Sequence, residues 1–460
     1  MKLKLIFAAI ASACMLCASA QSLSPSTTWH WDGGTIVIDS PQRPAGQKHA
    51  LGLKVAPIKT VRVGFVGLGM RGPDAVERFT YINGTDVVAL CDYEKNRAEK
   101  CNEILTKHNR HKAAVYSGEK GYEQLCERTD IDLVYIATDW DHHFPVAKYA
   151  LEHGKHVALE VPSAMNLEQI WTLIDLSEKN QLHCMILENC CYDWFEMTTL
   201  NMVQQGVFGE VVRAQGAYIH NLDPYWNHYW KAPGDPLGWR LRYNMENRGD
   251  VYPTHGLGPV AQALNIHRGD RMKTLVAMDT DPFRGPEIVE KVTGKRCNYF
   301  KQGDHTTTLI RTELGKVIEI QHNTITPQPY NRLYQITGTK GFANKYPIEG
   351  YCVESHSFMK KDEMDAFVEK YKHPISAQYE ELAKEVGGHG GMDFVMDSRL
   401  VYCLQNGLQL DMDVYDLAEW CCLAELGAIS MEHNCAPVAV PDFTRGHWRD
   451  VQGYKHAFAK

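Results

Sequence analysis

The 460-residue chain is long enough for two domains of ordinary size, and 44% of its residues are hydrophobic, as in globular proteins. Its formal net charge is −8, and its lysines and arginines are dispersed along the sequence. This distribution excludes a nucleic-acid-binding face, which requires clustered positive charge.

The first twenty residues have the composition of a targeting segment. Lys2 and Lys4 give a basic start, residues 5–16 are apolar, and residues 18–20 (Ala-Ser-Ala) fit a signal peptidase site. The apolar run is too short for a membrane-spanning helix, so we expect no transmembrane span. We therefore expect a protein exported to a bacterial periplasm or cell surface. Cleavage before a cysteine of this segment, which would make the protein a lipoprotein, stays open.

A polar segment at 21–58 follows, with four prolines and scattered glycines. This composition predicts an N-terminal arm or linker without a core of its own. Twelve cysteines lie beyond the targeting segment. In an oxidising compartment they could form disulfides, and as buried residues of a large core they could stay free thiols. The sequence leaves both open.

A buried strand and a glycine-rich turn begin the first domain. Residues 61–66 are mostly apolar, and Gly67, Gly69 and Gly72 form a Gly-x-Gly-x-x-Gly pattern that opens a helix. Such glycines permit a tight turn, the approach of a pyrophosphate and close helix packing. The helix start then offers free N–H groups to the phosphates.

Asp92 stands where dinucleotide-binding folds place an acid that binds the adenosine ribose, about 20 residues past the last glycine. A carboxylate accepts hydrogen bonds from a free 2′-hydroxyl and repels a 2′-phosphate. The predicted cofactor is therefore NAD rather than NADP.

Strand and helix patterns alternate from this turn to residue 187, which predicts a parallel, doubly wound sheet with its ligand at the carboxyl ends of the strands. The predicted strands are 61–66, 87–91, 132–137, 156–160 and 184–187, and the predicted helices are 74–80, 95–108, 144–153 and 169–180.

Longer alternating strands follow from about residue 191. They are predicted at 211–219, 273–279, 306–312, 316–321 and 333–337, with helices at 200–205, 392–406 and 414–431. The fold class is therefore α/β. It combines an N-terminal Rossmann domain at 59–190 with a C-terminal α/β domain at 191–460, built on an open, largely antiparallel sheet with helices at its end.

The architecture resembles the glucose–fructose oxidoreductase and inositol dehydrogenase family over about residues 59–339. Members of that family end the fifth strand in Glu-Lys-Pro and use the lysine in catalysis. This chain has Glu160-Val161-Pro162 instead. Because valine cannot transfer a proton, ordinary alcohol dehydrogenation by that lysine is excluded.

One branch, glycoside hydrolase family 109, matches this departure, and the resemblance spans about residues 62–447. The motifs that carry it are Glu160-Val161-Pro162, Tyr252-Pro253-Thr254-His255, Pro329-Tyr330-Asn331-Arg332, Gly338-Thr339-Lys340-Gly341 and Gly391-Met392-Asp393-Phe394. That family is known for NAD-dependent α-N-acetylgalactosaminidases. The resemblance implies this activity, with retention of the anomeric configuration.

The resemblance also implies roles for individual residues. NAD contacts fall on Met70, Arg71, Asp92, Asp139, Trp140, Asp141, His142, Glu160, Val161 and Asn189. The family favours an aromatic residue where Asp139 stands. Substrate contacts fall on Tyr218, Arg240, Tyr252, Pro253, Thr254, His255 and Tyr330. His255 and Tyr330 are the implied catalytic residues.

The chemistry can also be argued from the exported location, where an enzyme meets no pool of NAD to exchange with. Bound NAD could take a hydride from C3 of a sugar, which leaves a ketone and acidifies the C2 proton. The bond from C1 to the aglycone then breaks by elimination, water adds, and the hydride returns. Histidine suits the proton transfer, which makes His255 the candidate base. Tyr330 could act as a second acid or base, or stabilise an enolate oxygen.

Several alternatives stay open. The aromatic-rich segment 221–240 fits a carbohydrate pocket wall and also fits a loop that packs its own rings. A sugar oxidoreductase with tightly held NAD is the second candidate function, and a non-catalytic sugar-binding or sensing protein is the third. The exposed sheet face expected in the second domain leaves a homo-oligomer open.

We expect no catalytic metal. The closest candidate ligands are the adjacent His142 and His143, and His433 with Cys435, and neither pair forms a convincing set.

Overall fold

Two β-sheets organise the molecule in the computed structural model, which describes residues 27–459. The predicted targeting segment lies outside the described residues. The strands are β1 (Trp29–Asp32), β2 (Thr35–Ile38), β3 (Val61–Val66), β4 (Thr85–Asp92), β5 (Ala114–Ser117), β6 (Leu133–Ile136), β7 (His156–Leu159), β8 (Cys184–Ile186), β9 (Val211–Ile219), β10 (Met272–Asp279), β11 (Thr306–Thr312), β12 (Val317–Asn323), β13 (Gln335–Gly338), β14 (Gly341–Asn344), β15 (Gly350–Val353) and β16 (Val438–Ala439).

The helices connect these strands and cover the sheets. They are α1 (Gly72–Tyr81), α2 (Lys95–Lys107), α3 (Gly121–Cys126), α4 (Trp140–Glu152), α5 (Leu167–Asn180), α6 (Trp194–Gln204), α7 (Trp239–Glu246), α8 (Thr254–Ala263), α9 (Gly285–Thr293), α10 (Lys361–Lys370), α11 (Pro374–Val386), α12 (Met392–Asn406), α13 (Val414–Cys421) and α14 (Leu423–Glu432). None of the helices between residues 27 and 459 is both long and apolar enough to cross a bilayer.

The first sheet has six strands in the order β5-β4-β3-β6-β7-β8, and every neighbouring pair is parallel. The second sheet has ten strands in the order β1-β2-β16-β10-β11-β12-β9-β13-β14-β15. It is antiparallel except where β12 meets β9 and β16 meets β2. The predicted fold class is confirmed: a doubly wound parallel sheet followed by a largely antiparallel one.

The glycine-rich turn lies at the centre of the carboxyl edge of the first sheet, because β3 is flanked by β4 and β6. Gly67 has a φ of +91°, a conformation that side chains disfavour. A Cβ on Gly72 would lie 2.1 Å from the carbonyl oxygen of Gly67, so α1 packs directly on the turn. A Cβ on Gly69 would meet nothing closer than Arg97 Nη1 at 3.6 Å. The middle glycine therefore has no close neighbour and leaves room at the turn, which a phosphate requires to approach.

Most predicted elements differ by a residue or more from their bounds in the structure, and the helix predicted at 200–205 begins at Trp194; three of the differences are informative. The helix predicted at 144–153 begins earlier, at Trp140, because the Asp139 carboxylate caps it by accepting the His142 N–H at 3.1 Å. The helix predicted at 414–431 is divided into α13 and α14 at Cys422. The strand predicted from residue 333 begins at Gln335, since Leu333 and Tyr334 both have a positive φ.

The N-terminal arm packs on the body from residue 29 onward. Strand β2 pairs with β16, and Ile36 and Ile38 are buried in the main hydrophobic core. All twelve cysteines of the described residues are free thiols, nine of them buried. Of the two alternatives, disulfides and free thiols, the structure shows free thiols.

The two glycines with opposite surroundings give a direct test of this turn. Gly72→Ala should lower the free energy of unfolding by more than about 3 kcal/mol, because its Cβ would displace backbone. Gly69→Ala should change it by less than about 1 kcal/mol, because its Cβ meets open space. Urea denaturation of both variants measures the difference, and equal losses would contradict the described packing.

Candidate active site

His255 and Glu188 form the central contact between the two sheets. Glu188 follows β8, the last strand of the parallel sheet, and His255 lies in the first turn of α8. The Nδ1 atom of His255 lies 2.7 and 2.9 Å from the two carboxylate oxygens of Glu188. Since a carboxylate only accepts hydrogen bonds, Nδ1 carries the proton in this contact, and Nε2 is the nitrogen left to exchange a proton with a ligand.

Glu188 is held as an anion although its side chain is fully buried. Burial works to raise its pKa, but the charge and the hydrogen bond of His255 outweigh burial and place the pKa below its ordinary value. The backbone N–H of Cys190 also donates to this carboxylate, at 3.0 Å. Glu188 thus fixes both the tautomer and the orientation of the imidazole.

The Nε2 atom of His255 faces a cluster of aromatic residues. The hydroxyl of Tyr252 lies 3.4 Å from Nε2, and the ring centroids of Tyr252 and Tyr218 lie 4.9 and 5.2 Å from that of His255. Tyr330 lies 6.5 Å from Tyr218, ring to ring, and is two-fifths exposed. The two predicted catalytic side chains therefore both lie next to the ring of Tyr218, and the region bordered by Tyr218, Tyr252, His255 and Tyr330 is called the cleft below.

Tyr330 has a cationic partner. The Nη1 atom of Arg332 donates to the Tyr330 hydroxyl at 3.3 Å, while Nη2 donates to Asp193 at 2.8 Å and to Glu196 at 2.6 Å. Burial in the cleft raises the pKa of Tyr330, and the charge of Arg332 acts in the opposite direction. Arg332 can therefore stabilise negative charge that develops on the phenol oxygen.

Arg240 is a buried cation without a carboxylate partner in the described structure. Its guanidinium carbon lies 4.8–5.8 Å from four ring centroids, those of Trp140, Tyr218, Tyr229 and Tyr252. Aromatic faces stabilise such a cation. Its Nε and Nη2 atoms are buried and have no hydrogen-bond partner among residues 27–459, which makes them candidate donors to a ligand that enters the cluster. The predicted substrate residues Tyr218, Arg240, Tyr252 and His255 thus form one cluster, with Pro253 and Thr254 supplying the start of α8 between them.

The residues around the glycine-rich turn fit NAD. Asp92 accepts the N–H groups of Leu68 at 2.7 Å and Glu94 at 2.9 Å, so its carboxylate is fixed beside the turn. Helix α1 begins at Gly72 without a side chain that caps it. These features leave unpaired N–H groups for a pyrophosphate and a carboxylate for ribose hydroxyls.

Asp393, in the Gly-Met-Asp-Phe motif, joins several predicted cofactor residues. It accepts the amide of Asn189 at 2.6 Å and lies 3.1 Å from Arg71 Nη1 and 2.9 Å from His389 Nδ1. Arg71 Nε also donates to Glu160 at 3.1 Å. Burial works to raise the pKa of Asp393, but His389 and Arg71 hold it well below its ordinary value. A C-terminal helix, α12, therefore orients the residues that follow β3, β7 and β8.

The remaining predicted cofactor residues lie in different environments. Met70 is half exposed at the turn, and Val161 is buried after β7. Asp139, Trp140, Asp141 and His142, predicted as a loop, form the cap and first turn of α4. Trp140 is buried against the aromatic cluster, with its ring centroid 5.0 Å from that of Trp239.

Three residues with evident roles were absent from the sequence predictions: Glu188, Arg332 as a partner of Tyr330, and Asp393 as a partner of Asn189. Glu188 directly precedes the predicted Asn189, so the rule that ligands bind after parallel strands pointed to it. Arg332 and Asp393 belong to the motifs named above, but their partners are distant in sequence. Asp193 lies 139 residues from Arg332, and Asn189 lies 204 residues from Asp393.

The histidines considered as metal ligands are engaged elsewhere. His143 is buried between the carbonyl oxygens of Pro162 and Thr138, at 2.8 and 3.1 Å, and His433 contacts the carbonyl oxygen of Ile429. Neither candidate pair is part of the groups of three ligand atoms that lie close together in the described residues.

The C-terminal part of the chain matches a family model described as the C-terminal domain of glycosyl hydrolase 109, over residues 192–450. Residues 61–187 match an oxidoreductase family with an NAD-binding Rossmann fold. The chain is 70% identical to glycosyl hydrolase family 109 protein 5 of Phocaeicola vulgatus, over 96% of this chain and 88% of the relative. It is 57% identical to family 109 protein 1 of Bacteroides fragilis, over 97% of each chain.

Solved structures share the fold. Levoglucosan dehydrogenase, in complex with NADH and levoglucosan, has a TM-score of 0.62 at 17% identity, over 83% of this chain and 100% of that chain. The myo-inositol dehydrogenase of Lactobacillus casei, in complex with NAD(H) and myo-inositol, has a TM-score of 0.55 at 14% identity, over 84% and 99%. The fold and site define an enzyme that acts on glycosides through an NAD-binding Rossmann domain. This chain belongs to glycosyl hydrolase family 109, and its cofactor is NAD.

Replacing Glu188 by Gln tests its control of His255. We expect kcat to fall by about 10- to 100-fold with little change in KM, because a neutral amide orients and stabilises an imidazolium less well. For the same reason the acid limb of the pH–activity profile should move to lower pH. Steady-state rates across pH measure both effects. An unmoved acid limb, with activity lost only in proportion to folded protein, would contradict this role.

Asp250 provides a test of stability against pH. Its carboxyl is fully buried and accepts the Tyr252 N–H at 3.0 Å, and burial raises its pKa to about 7. An exposed aspartate has a pKa of about 3.9, so between these values the folded state binds more protons than the unfolded state. Stability contributed by this group is therefore present at low pH and is lost as pH rises through about 7.

Asp250→Asn removes this titration. From pH 5 to pH 8 the wild type should lose about 2–3 kcal/mol of unfolding free energy relative to the variant. Urea denaturation of both proteins at the two pH values measures the change. Parallel stability profiles would show that the carboxyl is ionised in the fold.

Proposed function

We propose that this protein is an exported NAD-dependent α-N-acetylgalactosaminidase that cleaves terminal α-linked N-acetylgalactosamine without net oxidation. The observation that carries the proposal is the position of the His255–Glu188 pair. It places a base where the carboxyl edge of the NAD-binding sheet meets the aromatic cleft. The residues 1–20 support export.

NAD, when bound, would supply the hydride acceptor for C3 of the sugar and, once reduced, the hydride donor to the same carbon. The chain supplies orientation and proton transfer. Gly69, Asp92 and the start of α1 would hold the dinucleotide, while Asn189 and Arg71 are oriented by Asp393. Valine at position 161 gives no competing proton donor where related oxidoreductases carry a lysine.

His255 Nε2 acts as the base that removes the C2 proton once C3 is a ketone. As the hydride leaves C3, the C3 hydroxyl proton passes to solvent by way of the Tyr330 hydroxyl, which Arg332 supports, and it returns by the same route when C3 is reduced. As the C1–oxygen bond breaks, His255 gives the proton taken from C2 to the leaving aglycone oxygen. Water then adds a proton at C2 and a hydroxyl at C1, so the net reaction is hydrolysis.

Arg240 and the surrounding rings support a sugar ligand. The unpaired Nε and Nη2 atoms of Arg240 suit a carbonyl oxygen such as that of an acetamido group. Tyr218, Tyr252 and Tyr330 provide ring faces of the kind that pack on the apolar face of a pyranose.

An aryl α-N-acetylgalactosaminide tests the proposal. The protein should release the phenol without accumulation of NADH, and in heavy water the product should carry deuterium at C2. Net NADH formation from free sugars would instead indicate a sugar oxidoreductase. Binding without turnover would indicate a sensing protein. The gluco epimer, assayed in parallel, measures selectivity at C4.

His255→Ala should lower turnover by at least about 100-fold while NAD stays bound, because the base is lost and the cofactor contacts are not. His153→Ala, at an exposed position on the outer end of α4, is the matched control and should leave the rate unchanged. Near-normal turnover in His255→Ala would refute the assignment of the base.

A further inference from the structure

Residues 230–239, here called the strap, form a loop of the second domain that faces the cofactor end of the parallel sheet. The Trp239 N–H donates to the Trp230 carbonyl oxygen at 3.1 Å, so the two ends of the strap lie side by side. At its first residue the Trp230 indole Nε1 donates to the Glu94 carboxylate at 3.0 Å. The Trp230 ring centroid also lies 5.8 Å from that of Tyr93. Tyr93 and Glu94 directly follow Asp92, so this contact lies beside the carboxylate that fits the adenosine ribose.

The other end of the strap contacts the parallel sheet at a different strand. The Trp239 ring centroid lies 5.0 Å from that of Trp140, in the first turn of α4. Helix α4 follows β6, whereas Glu94 follows β4.

The order of strands shows what lies between these contacts. Strand β3 separates β4 from β6, and the glycine-rich turn follows β3. Neighbouring strands lie about 4.8 Å apart, so β4 and β6 are separated by about 10 Å across the sheet edge. The two tryptophans at the paired ends of the strap therefore contact the first domain on both sides of the strand that carries the turn.

The second domain holds the strap firmly. Leu237 of the strap is buried in a hydrophobic cluster with Trp226 and Leu241. Tyr229, the residue before the strap, belongs to the same cluster. Within the strap, Asp235 accepts the Arg242 Nε–H at 2.6 Å. All of these contacts lie within the second domain. The hydrogen bond from Trp230 to Glu94 therefore joins the second domain to the Rossmann domain.

We propose that the strap retains the bound dinucleotide, with the Trp230–Glu94 hydrogen bond as its latch. The inference rests on the proposed use of NAD, because a cofactor that is regenerated in each turnover never needs to leave. Dissociation of NAD would require the latch to open, whereas the sugar enters at the cleft of His255 and Tyr330. Trp230, Glu94 and Tyr93 are thereby assigned to cofactor retention.

The exchange rate of bound nucleotide tests this directly. The full-length protein is loaded with NAD, separated from free nucleotide by gel filtration, and mixed with an excess of isotopically labelled NAD. Samples are denatured over time, and the released nucleotide is quantified by mass. Trp230→Ala should exchange NAD at least about tenfold faster than the wild type, because it loses a hydrogen bond to a charged acceptor together with its ring contact.

Two further variants separate the latch from general damage. Trp230→Phe keeps a ring and loses only the N–H donor, so its exchange should accelerate by about two- to tenfold. Trp31→Ala removes a half-exposed tryptophan on β1 and should exchange at the wild-type rate. In the double variant Glu94→Ala, Trp230→Ala, exchange should be no faster than in the more affected single variant, because both changes break one bond.

Wild-type exchange in a loaded Trp230→Ala protein would overturn the proposal, as would equal acceleration by Trp31→Ala. Failure of the wild type to bind NAD would overturn the strap and the cofactor chemistry together. Phenol release measured at saturating NAD reports separately on the glycosidase proposal. Accelerated exchange in variants of a protein that never cleaves the glycoside would leave the strap standing and refute the glycosidase.

Discussion

The contact between Glu188 and His255 is the constraint on which the candidate site depends. A fully buried, ionised carboxylate without a partner would cost several kcal/mol, so Glu188 is an anion only if the imidazole lies at the end of β8. This requirement places α8, and with it Tyr252, against the carboxyl edge of the parallel sheet. The polar contact that joins the domains is therefore also the one that prepares a base for proton transfer.

Other buried charges extend the same arrangement. Asp393 of α12 pairs with Arg71 beside the glycine-rich turn and accepts a hydrogen bond from Asn189. Arg332 connects Tyr330 to Asp193 and Glu196. His255 thus has the charged partner Glu188, and Tyr330 has Arg332. The predicted cofactor residues Arg71 and Asn189 share the partner Asp393. Such networks require complete pairing in a low-dielectric interior, which keeps the geometry of the cleft unique.

Much of the fold could be predicted from the sequence because its signals are local. Alternating strands and helices, the glycines at 67–72 and the acid at Asp92 define a Rossmann domain within short windows. The substrate cluster was predicted through motifs at 252–255 and 329–332, and the structure brings these segments together. The partners of these residues were not predicted, because contacts such as Arg332 with Asp193 carry no periodicity.

The differences in element bounds have the same origin. Asp139 was read as part of a loop, and its role as a helix cap depends on a single hydrogen bond to His142. Strands β1 and β2 were read as part of an arm, because only pairing with β16 in the folded chain makes them part of a sheet. For segment 221–240, which contains the strap, the sequence leaves two interpretations open, a carbohydrate pocket wall and a loop that packs its own rings. Contacts to Glu94 and Trp140, far away in sequence, were needed to locate it.

The central claim is that cleavage passes through oxidation at C3 of the sugar. An aryl α-N-acetylgalactosaminide that lacks the C3 hydroxyl tests it most directly, since such a sugar binds at the same ring faces but cannot form the ketone. We expect this compound to inhibit the normal reaction and to release no phenol above background. Phenol release at a rate comparable with that of the parent glycoside would contradict it.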